Sequence, residues 1–239
     1  MNFLLVNDDG IKHRNLMLTK KALEKFGKVY IASPSSERSG ASIGITIYKG
    51  TKYHVVDDTT ITVDGSPADC TFIGLYHFGF DTIDIVVSGT NSGKNESYDH
   101  LYSGTVGGVV QAALFHKKAI ALSTVERDNG DAVYEKTVLA IDYILKNNLL
   151  DVAPLLSVNY PIPEVEFKGF KVGTIDHSVS DEKFKSIDEN YVKTYRDIRN
   201  EKEGTDRYLT NHGYFSITAL KPSLLDEELN KKLKEVVEK

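Results

Sequence analysis

Apolar residues fall along this chain in short solid runs that alternate with stretches of near-helical spacing. The first run, Phe3 to Val6, stops at Asn7, Asp8, Asp9 and Gly10. Leu16, Leu18, Ala22, Leu23 and Phe26 then recur at helical intervals up to Gly27, a helix stop. Lys28 to Ser33, KVYIAS, reads as a second buried strand. Strand, helix, strand in that order is a βαβ unit, and such a unit implies a parallel sheet.

The alternation continues. PSSERSGAS at 34–42 is dense in turn formers, and IGITIY, TKYHVV and TITVDG between 43 and 63 predict short antiparallel strands or an excursion from the main sheet. A helix is expected from Pro67 to about Phe78, followed by a third buried strand in IDIVVSG. The Gly-, Asn- and Ser-rich stretch GTNSGKNESYDHLYSG reads as a loop, and TVGGVVQAALFHKK resumes helical periodicity. KKAIALST, residues 131–148 and LLSVNYPIP supply a further strand, helix and strand. Residues 1–163 therefore read as an α/β core, a Rossmann-like doubly wound, mostly parallel sheet. Residues 164–239 form a C-terminal extension. Its charged, Tyr-rich part to 210 reads as an arm or small subdomain used for oligomerisation. GYFSITAL and the stripe Leu224, Leu225, Leu229, Leu233, Val236 give a final strand and an amphipathic helix expected to pack on the core.

At 239 residues the chain has room for one sizeable core. A net charge of −5 with scattered Lys and Arg offers no basic face for a polymeric nucleic acid. A small phosphorylated ligand stays open, because a metal or a ring of backbone N–H groups binds phosphate without a basic surface. Cys70, the single cysteine, sits in SPADCTFIGL and reads as a packed helix residue. No apolar run approaches the roughly 20 residues that span a bilayer, and no charged and apolar leader pattern opens the chain. A cytoplasmic protein without membrane partners is expected.

Ligands of parallel sheets bind beyond the carboxyl ends of the strands. Three loops on that rim supply Asp8 and Asp9, then Ser39, then Asn91 and Asn95, all oxygen-bearing groups. Oxygen-only sets suit hard divalent cations such as Mg²⁺, Mn²⁺ or Ca²⁺. Two carboxylates balance such an ion, and a neutral hydroxyl and amide oxygen could complete the protein's share of an octahedron. An open site of this kind acidifies water and polarises a phosphoryl group, which points to phosphomonoester hydrolysis. Ser103, Gly104 and Thr105 in YSGTVGG lie where a helix begins, and helix N-termini offer free N–H groups to anions.

Each feature also has an ordinary reading: a solvated Asp pair, a turn serine, left-handed turn asparagines, a helix cap. Their convergence on one rim favours the site. The seven histidines show no metal-binding spacing, and only His100 lies where a substrate could meet it. Arg38 and Lys94 flank the site and could steer phosphate. There is no GxxxxGK[ST] segment. Two other classes compete: a receiver-type Mg-binding phosphoacceptor domain, with Asp57 of YHVVDD as acceptor, and a metal-binding scaffold without turnover.

LLVNDDGI, ERSGASIGIT, GSPADC, VVSGTNSGKN and YSGTVGG, with weaker echoes in AIALS, SVNYP and GYFSIT, resemble the SurE survival-protein family of metal-dependent nucleotidases. The resemblance implies a Rossmann-like core whose C-terminal extension swaps between subunits, giving a homodimer or homotetramer. It implies one divalent cation per subunit, Mg²⁺ or Mn²⁺, held by Asp8, Asp9, Ser39 and Asn91. Asn95, Ser103, Gly104 and Thr105 would then surround the phosphate. The implied substrates are nucleoside 5′- and 3′-monophosphates or other small phosphomonoesters. Ser42, Ile43 and Gly44 depart from the family's usual Gly-His-Ser at that turn.

Overall fold

Strand β1, Asn2–Val6, has four consecutive buried residues because both of its faces are covered. Phe3 and Leu5 point into one apolar cluster and Leu4 and Val6 into the other. The computed structural model describes residues 1–125, 130–176, 181–188, 191–197 and 201–238. In chain order the elements to the middle of the molecule are α1 (Arg14–Leu23), β2 (Lys28–Pro34), β3 (Tyr53–Asp57), β4 (Thr60–Val63), α2 (Pro67–Phe78), β5 (Ile85–Asn91), α3 (Asp99–Tyr102) and α4 (Gly104–Leu114). They continue with β6 (Lys118–Ser123), α5 (Gly130–Lys146), α6 (Leu149–Val152), β7 (Leu155–Asn159), β8 (Gly169–Val172), β9 (Asp181–Asp188), β10 (Tyr191–Asp197), α7 (Asp206–Asn211), β11 (Tyr214–Ala219) and α8 (Glu227–Val237).

Nine strands form one sheet in the order β3-β4-β2-β1-β5-β6-β7-β11-β8. The six from β4 to β7 run parallel, as the βαβ pattern requires. α1 and α5 cover one face through Leu16, Leu23, Ile141 and Ile144; α2 and α4 cover the other through Cys70, Leu75, Val106 and Val109. This is the doubly wound α/β fold expected. Cys70 is fully buried, and burial pushes its thiol well above the ordinary range, so it is an inert packing residue.

Three elements differ from the sequence expectation. IGITIY at 43–48 forms no strand: alternation suits a pleat, but no partner strand lies beside these largely exposed residues. β4 is no excursion, since it pairs in parallel with β2 and only β3 runs antiparallel at the edge. The C-terminal extension supplies β11 and β8 to the main sheet, β11 antiparallel to β7. β9 and β10 pair only with each other, and parts of the expected arm, 177–180, 189–190 and 198–200, lie outside the described residues. α8, expected to pack on the core, has no buried residue: Leu229, Leu233 and Val236 line one side and stay exposed.

Candidate active site

The carboxyl ends of β1, β2 and β5 and the start of α4 meet at one rim. Asn7 sets the corner, its Nδ2 donating to the Gly10 carbonyl at 2.9 Å while its Oδ1 accepts from Ser33 Oγ at 2.6 Å. Gly10 adopts φ +96°, a conformation open to glycine, and turns the chain so that the Ile11 N–H reaches the Pro34 carbonyl at 3.2 Å. The Arg38 N–H donates to the Asp8 carbonyl at 2.7 Å, which draws the 35–42 loop onto the acidic pair.

Asp8 is 4% exposed and its Oδ1 accepts from Thr105 Oγ1 at 2.6 Å. A Cβ at residue 104 would fall 2.9 Å from the Asp8 Cβ, so glycine is what lets the first turn of α4 approach this closely. Burial raises the Asp8 pKa above the ordinary carboxylate range; the Thr105 hydroxyl and nearby backbone N–H groups pull it partly back, and the negative charge of Glu37 adds to the rise. Asp9 is pushed up to about 6, first by burial and then by the charge of Asp8, with His13 acting in the opposite sense. Among the described residues the buried Oδ2 of Asp9 has no hydrogen-bond partner, and His13 Nδ1 lies 3.5 Å from it. A buried carboxylate oxygen without a donor is costly. A divalent cation is the charge that would offset it, and the oxygen donors on this rim fit a hard ion. Among the described residues no three His, Cys, Asp or Glu side chains assemble into a cation cage, so any such site is two carboxylates completed by neutral oxygens.

The remaining predicted residues divide. Ser39 is exposed next to Arg38 and donates to Glu37 Oε1 at 2.9 Å. Asn91 closes β5, and its Nδ2 donates to the Gly93 carbonyl at 2.8 Å, turning the amide oxygen away from that group. Neither makes a hydrogen bond with Asp8 or Asp9. Asn95 is buried and stitches its loop to the sheet: its N–H donates to Asn159 Oδ1 at 2.8 Å and its Nδ2 to Ser123 Oγ at 2.9 Å. Ser103 is the N-cap of α4, its hydroxyl accepting from the Val106 N–H at 3.1 Å. Gly104 and Thr105 touch Asp8 directly.

Two flanking residues do other work. Lys94 turns from the rim to Thr210 Oγ1 at 2.6 Å and Asn211 Oδ1 at 2.9 Å. His100 is buried with its ring nitrogens 2.8 Å from the Ser97 carbonyl and 3.1 Å from Ser157 Oγ, a packed histidine. Asp57 is exposed and pairs with Thr60 at the start of β4, the opposite end of the strands from Asp8, which removes the geometry a receiver domain needs.

Sequence reasoning missed Glu37 and His13, both ionisable neighbours of Asp9, and it missed Asp69. Asp69 was findable: Ser66 and Asp69 form a capping box at the start of α2, and Asp69 also accepts from the Thr46 N–H and hydroxyl, both at 2.9 Å. Together with Arg38, Asp64 and Ser66 these residues line a 290 Å³ cleft beside the acidic corner.

The family profile described as Survival protein SurE matches residues 3–182. A 5′-nucleotidase SurE of Actinobacillus succinogenes is 33% identical over 231 residues, covering 94% of each chain. A 5′/3′-nucleotidase SurE of Wigglesworthia glossinidia brevipalpis is 33% identical over 239 residues, covering 96% of this chain and 95% of its own. The crystal structure of the Sure protein from Aquifex aeolicus superposes with a TM-score of 0.86 at 29% identity, covering 99% of both chains.

Proposed function

The chain belongs to the SurE family, and we propose that it hydrolyses nucleoside 5′- and 3′-monophosphates with a divalent cation, Mg²⁺ or Mn²⁺, held by Asp8, Asp9, Ser39 and Asn91. The observation that carries the metal half of this reading is Asp9 Oδ2, buried without a donor beside a second buried carboxylate. The names of the relatives carry the substrate half. When bound, the ion supplies Lewis acidity at the phosphoryl group and neutralises the two carboxylates.

The chain's own residues prepare the place. Thr105 fixes one oxygen of Asp8. Ser103 caps α4 by accepting from Val106, the Thr105 N–H turns to the Asp8 carboxylate, and the Gly104 N–H at the helix start is the first-turn donor left for an anion. Asn95 keeps the loop after β5 against the sheet, which aligns its backbone with the phosphoryl group rather than leaving it to swing. The small cleft from Arg38 to Asp69, lined by both polar and apolar residues, offers room for the leaving nucleoside. The same reading has the protein act in the cytoplasm as a homodimer or homotetramer joined through residues 164–239, without polymeric nucleic acid as a partner. Among the described residues no helix is long and apolar enough to cross a membrane.

Phosphate release from 5′- and 3′-nucleoside monophosphates by metal-stripped protein tests the proposal, with Mg²⁺ or Mn²⁺ restored and Asp9→Asn in parallel. Ion-dependent release that vanishes in the variant is expected. Equal release in chelator and in metal overturns the metal half, and no release from any monophosphate overturns the hydrolase.

A further inference from the structure

Asn91 ends β5 and Asn95 lies in the loop that follows it, yet the sheet grips only part of that loop. Asn95 turns inward to Asn159 and Ser123. The residues around it turn the other way, onto α7 from the far end of the chain. Lys94 reaches Thr210 and Asn211, and Glu96 Oε1 accepts from Thr210 Oγ1 at 2.5 Å. Next comes Ser97, held at φ +56°, a left-handed conformation that non-glycine residues adopt at a cost and keep only where the surroundings impose it.

Asp206 imposes it. This carboxylate is fully buried, and its Oδ2 accepts from the Ser97 N–H at 2.8 Å across 109 residues of chain. Its Oδ1 accepts from the Arg207 N–H at 2.8 Å and the Asp176 N–H at 3.2 Å, so the acceptor cannot rotate away from Ser97 without stranding both. The Ser97 hydroxyl adds a bond to the Asp176 carbonyl. Nothing in the catalytic reading uses Asp206, and no substrate on the rim could touch it through the loop it supports.

We propose that Asp206 is a positioning residue: by holding Ser97 in the left-handed region it fixes the 92–98 loop and with it Asn91 and Asn95 at the strand ends. The proposal rests on the hydrolase reading of the same rim. Asp206→Ala removes the acceptor of three buried N–H groups, and the loop then relaxes toward ordinary backbone angles. Misplacement by about 1 Å costs turnover on the order of 100-fold, so kcat for a nucleoside monophosphate should fall about 10- to 100-fold, with a smaller change in KM. Glycine adopts positive φ without penalty, so Ser97→Gly should be near wild type alone and should restore most of the lost kcat when added to Asp206→Ala. A merely structural Asp206 would lower Tm, and its loss would not be repaired in kcat by that second change.

Steady-state kinetics of wild type, both single variants and the double variant decide this. Asp206→Ala within twofold of wild-type kcat overturns the proposal, as does a double variant no faster than Asp206→Ala. Amide hydrogen exchange of the unaltered protein gives a readout that needs neither turnover nor a foldable variant. The Ser97 N–H should be protected like those of β5, and exchange at the rate of an unstructured peptide overturns the positioning role. If the wild type releases no phosphate, the hydrolase reading fails while the exchange result still decides the role of Asp206.

Discussion

Two buried polar clusters lie near each other in this molecule, and they are built on opposite terms. Beneath β5, Thr19, Thr90, Thr137 and Tyr160 are almost fully buried, and their hydroxyls satisfy one another: Thr19 Oγ1 with Thr90 Oγ1 at 2.9 Å, Thr90 with Thr137 at 3.2 Å, Thr137 with Tyr160 at 2.9 Å. At the end of β1, Asp8 and Asp9 are adjacent carboxylates with one buried oxygen that nothing satisfies. The neutral cluster ties α1, α5 and β7 to the strand ending in Asn91. The charged one holds like charges together in a dry corner. Neutral hydroxyls that pair among themselves stabilise modestly, whereas buried unpaired charge is expensive and persists where function selects it.

The comparison breaks most sharply at Asp9. Asp9→Asn removes a charge that the fold disfavours, so metal-stripped protein should melt a few degrees higher than wild type while ion-dependent turnover falls by at least about 100-fold. Calorimetry and phosphate release measure the two halves. A variant that is less stable without metal would mean that the corner carries no excess repulsion. Gly104→Ala is expected next in size. The new methyl group meets the Asp8 Cβ at 2.9 Å, which pushes α4 off the carboxylate and should reduce kcat/KM about 10- to 100-fold. Its melting temperature should drop by about 2–12 °C, the equivalent of the usual 1–3 kcal/mol cost of overpacking.

The pH dependence of the metal-free protein separates the clusters without mutating the corner's neighbours. Between its ordinary 3.8 and about 6, folded Asp9 binds more protons than the unfolded chain does. Stability from this group is therefore greatest below pH 4, declines as pH rises to about 6, and is flat above. Asp8, raised by burial, acts in the same direction. The difference in Tm between Asp9→Asn and wild type should grow from pH 4 to 6.5 in chelator and shrink when Mg²⁺ or Mn²⁺ is added. A difference that does not change with pH would remove the repulsion from the account.

The sheet was legible in the sequence because its strands are buried on both faces: Phe3 to Val6 and IDIVVSG read as solid apolar runs, and the helix between 67 and 78 starts at Pro67 as expected. The acidic corner was legible from charge at a strand end. Ser39 and Asn91 were read as oxygen donors from loops on the same rim, and their hydrogen bonds go to Glu37 and Gly93 and not to the corner. What could not be read was long-range. Lys94 belongs to Thr210, and Ser97 to Asp206, pairings that only the return of α7 over the β5 loop creates. The stripe on α8 was visible as an amphipathic helix, but periodicity gives a face and not its partner. IGITIY failed for the same reason.

The smallest expected effect sharpens the comparison from its neutral side. Tyr160→Phe deletes one hydroxyl from the cluster under β5, and the groups left behind keep partners: Thr137 Oγ1 still donates to the Val133 carbonyl at 2.7 Å, and Thr90 stays paired with Thr19. Among the described partners no donor is stranded, so the cost should be that of one net hydrogen bond, about 1 kcal/mol, or about 2–4 °C in a chain of this size. The ring still packs edge-on against Phe215 at 5.1 Å, so the core keeps its volume. Turnover should stay within about twofold, and the shift in Tm should be the same at pH 4 and pH 7, because the hydroxyl's described partners, Thr137 and Thr90, do not titrate. A loss several times larger, or one that grows with pH, would show that the hydroxyl cluster and the acidic corner are coupled through β5 and do not stand on separate terms.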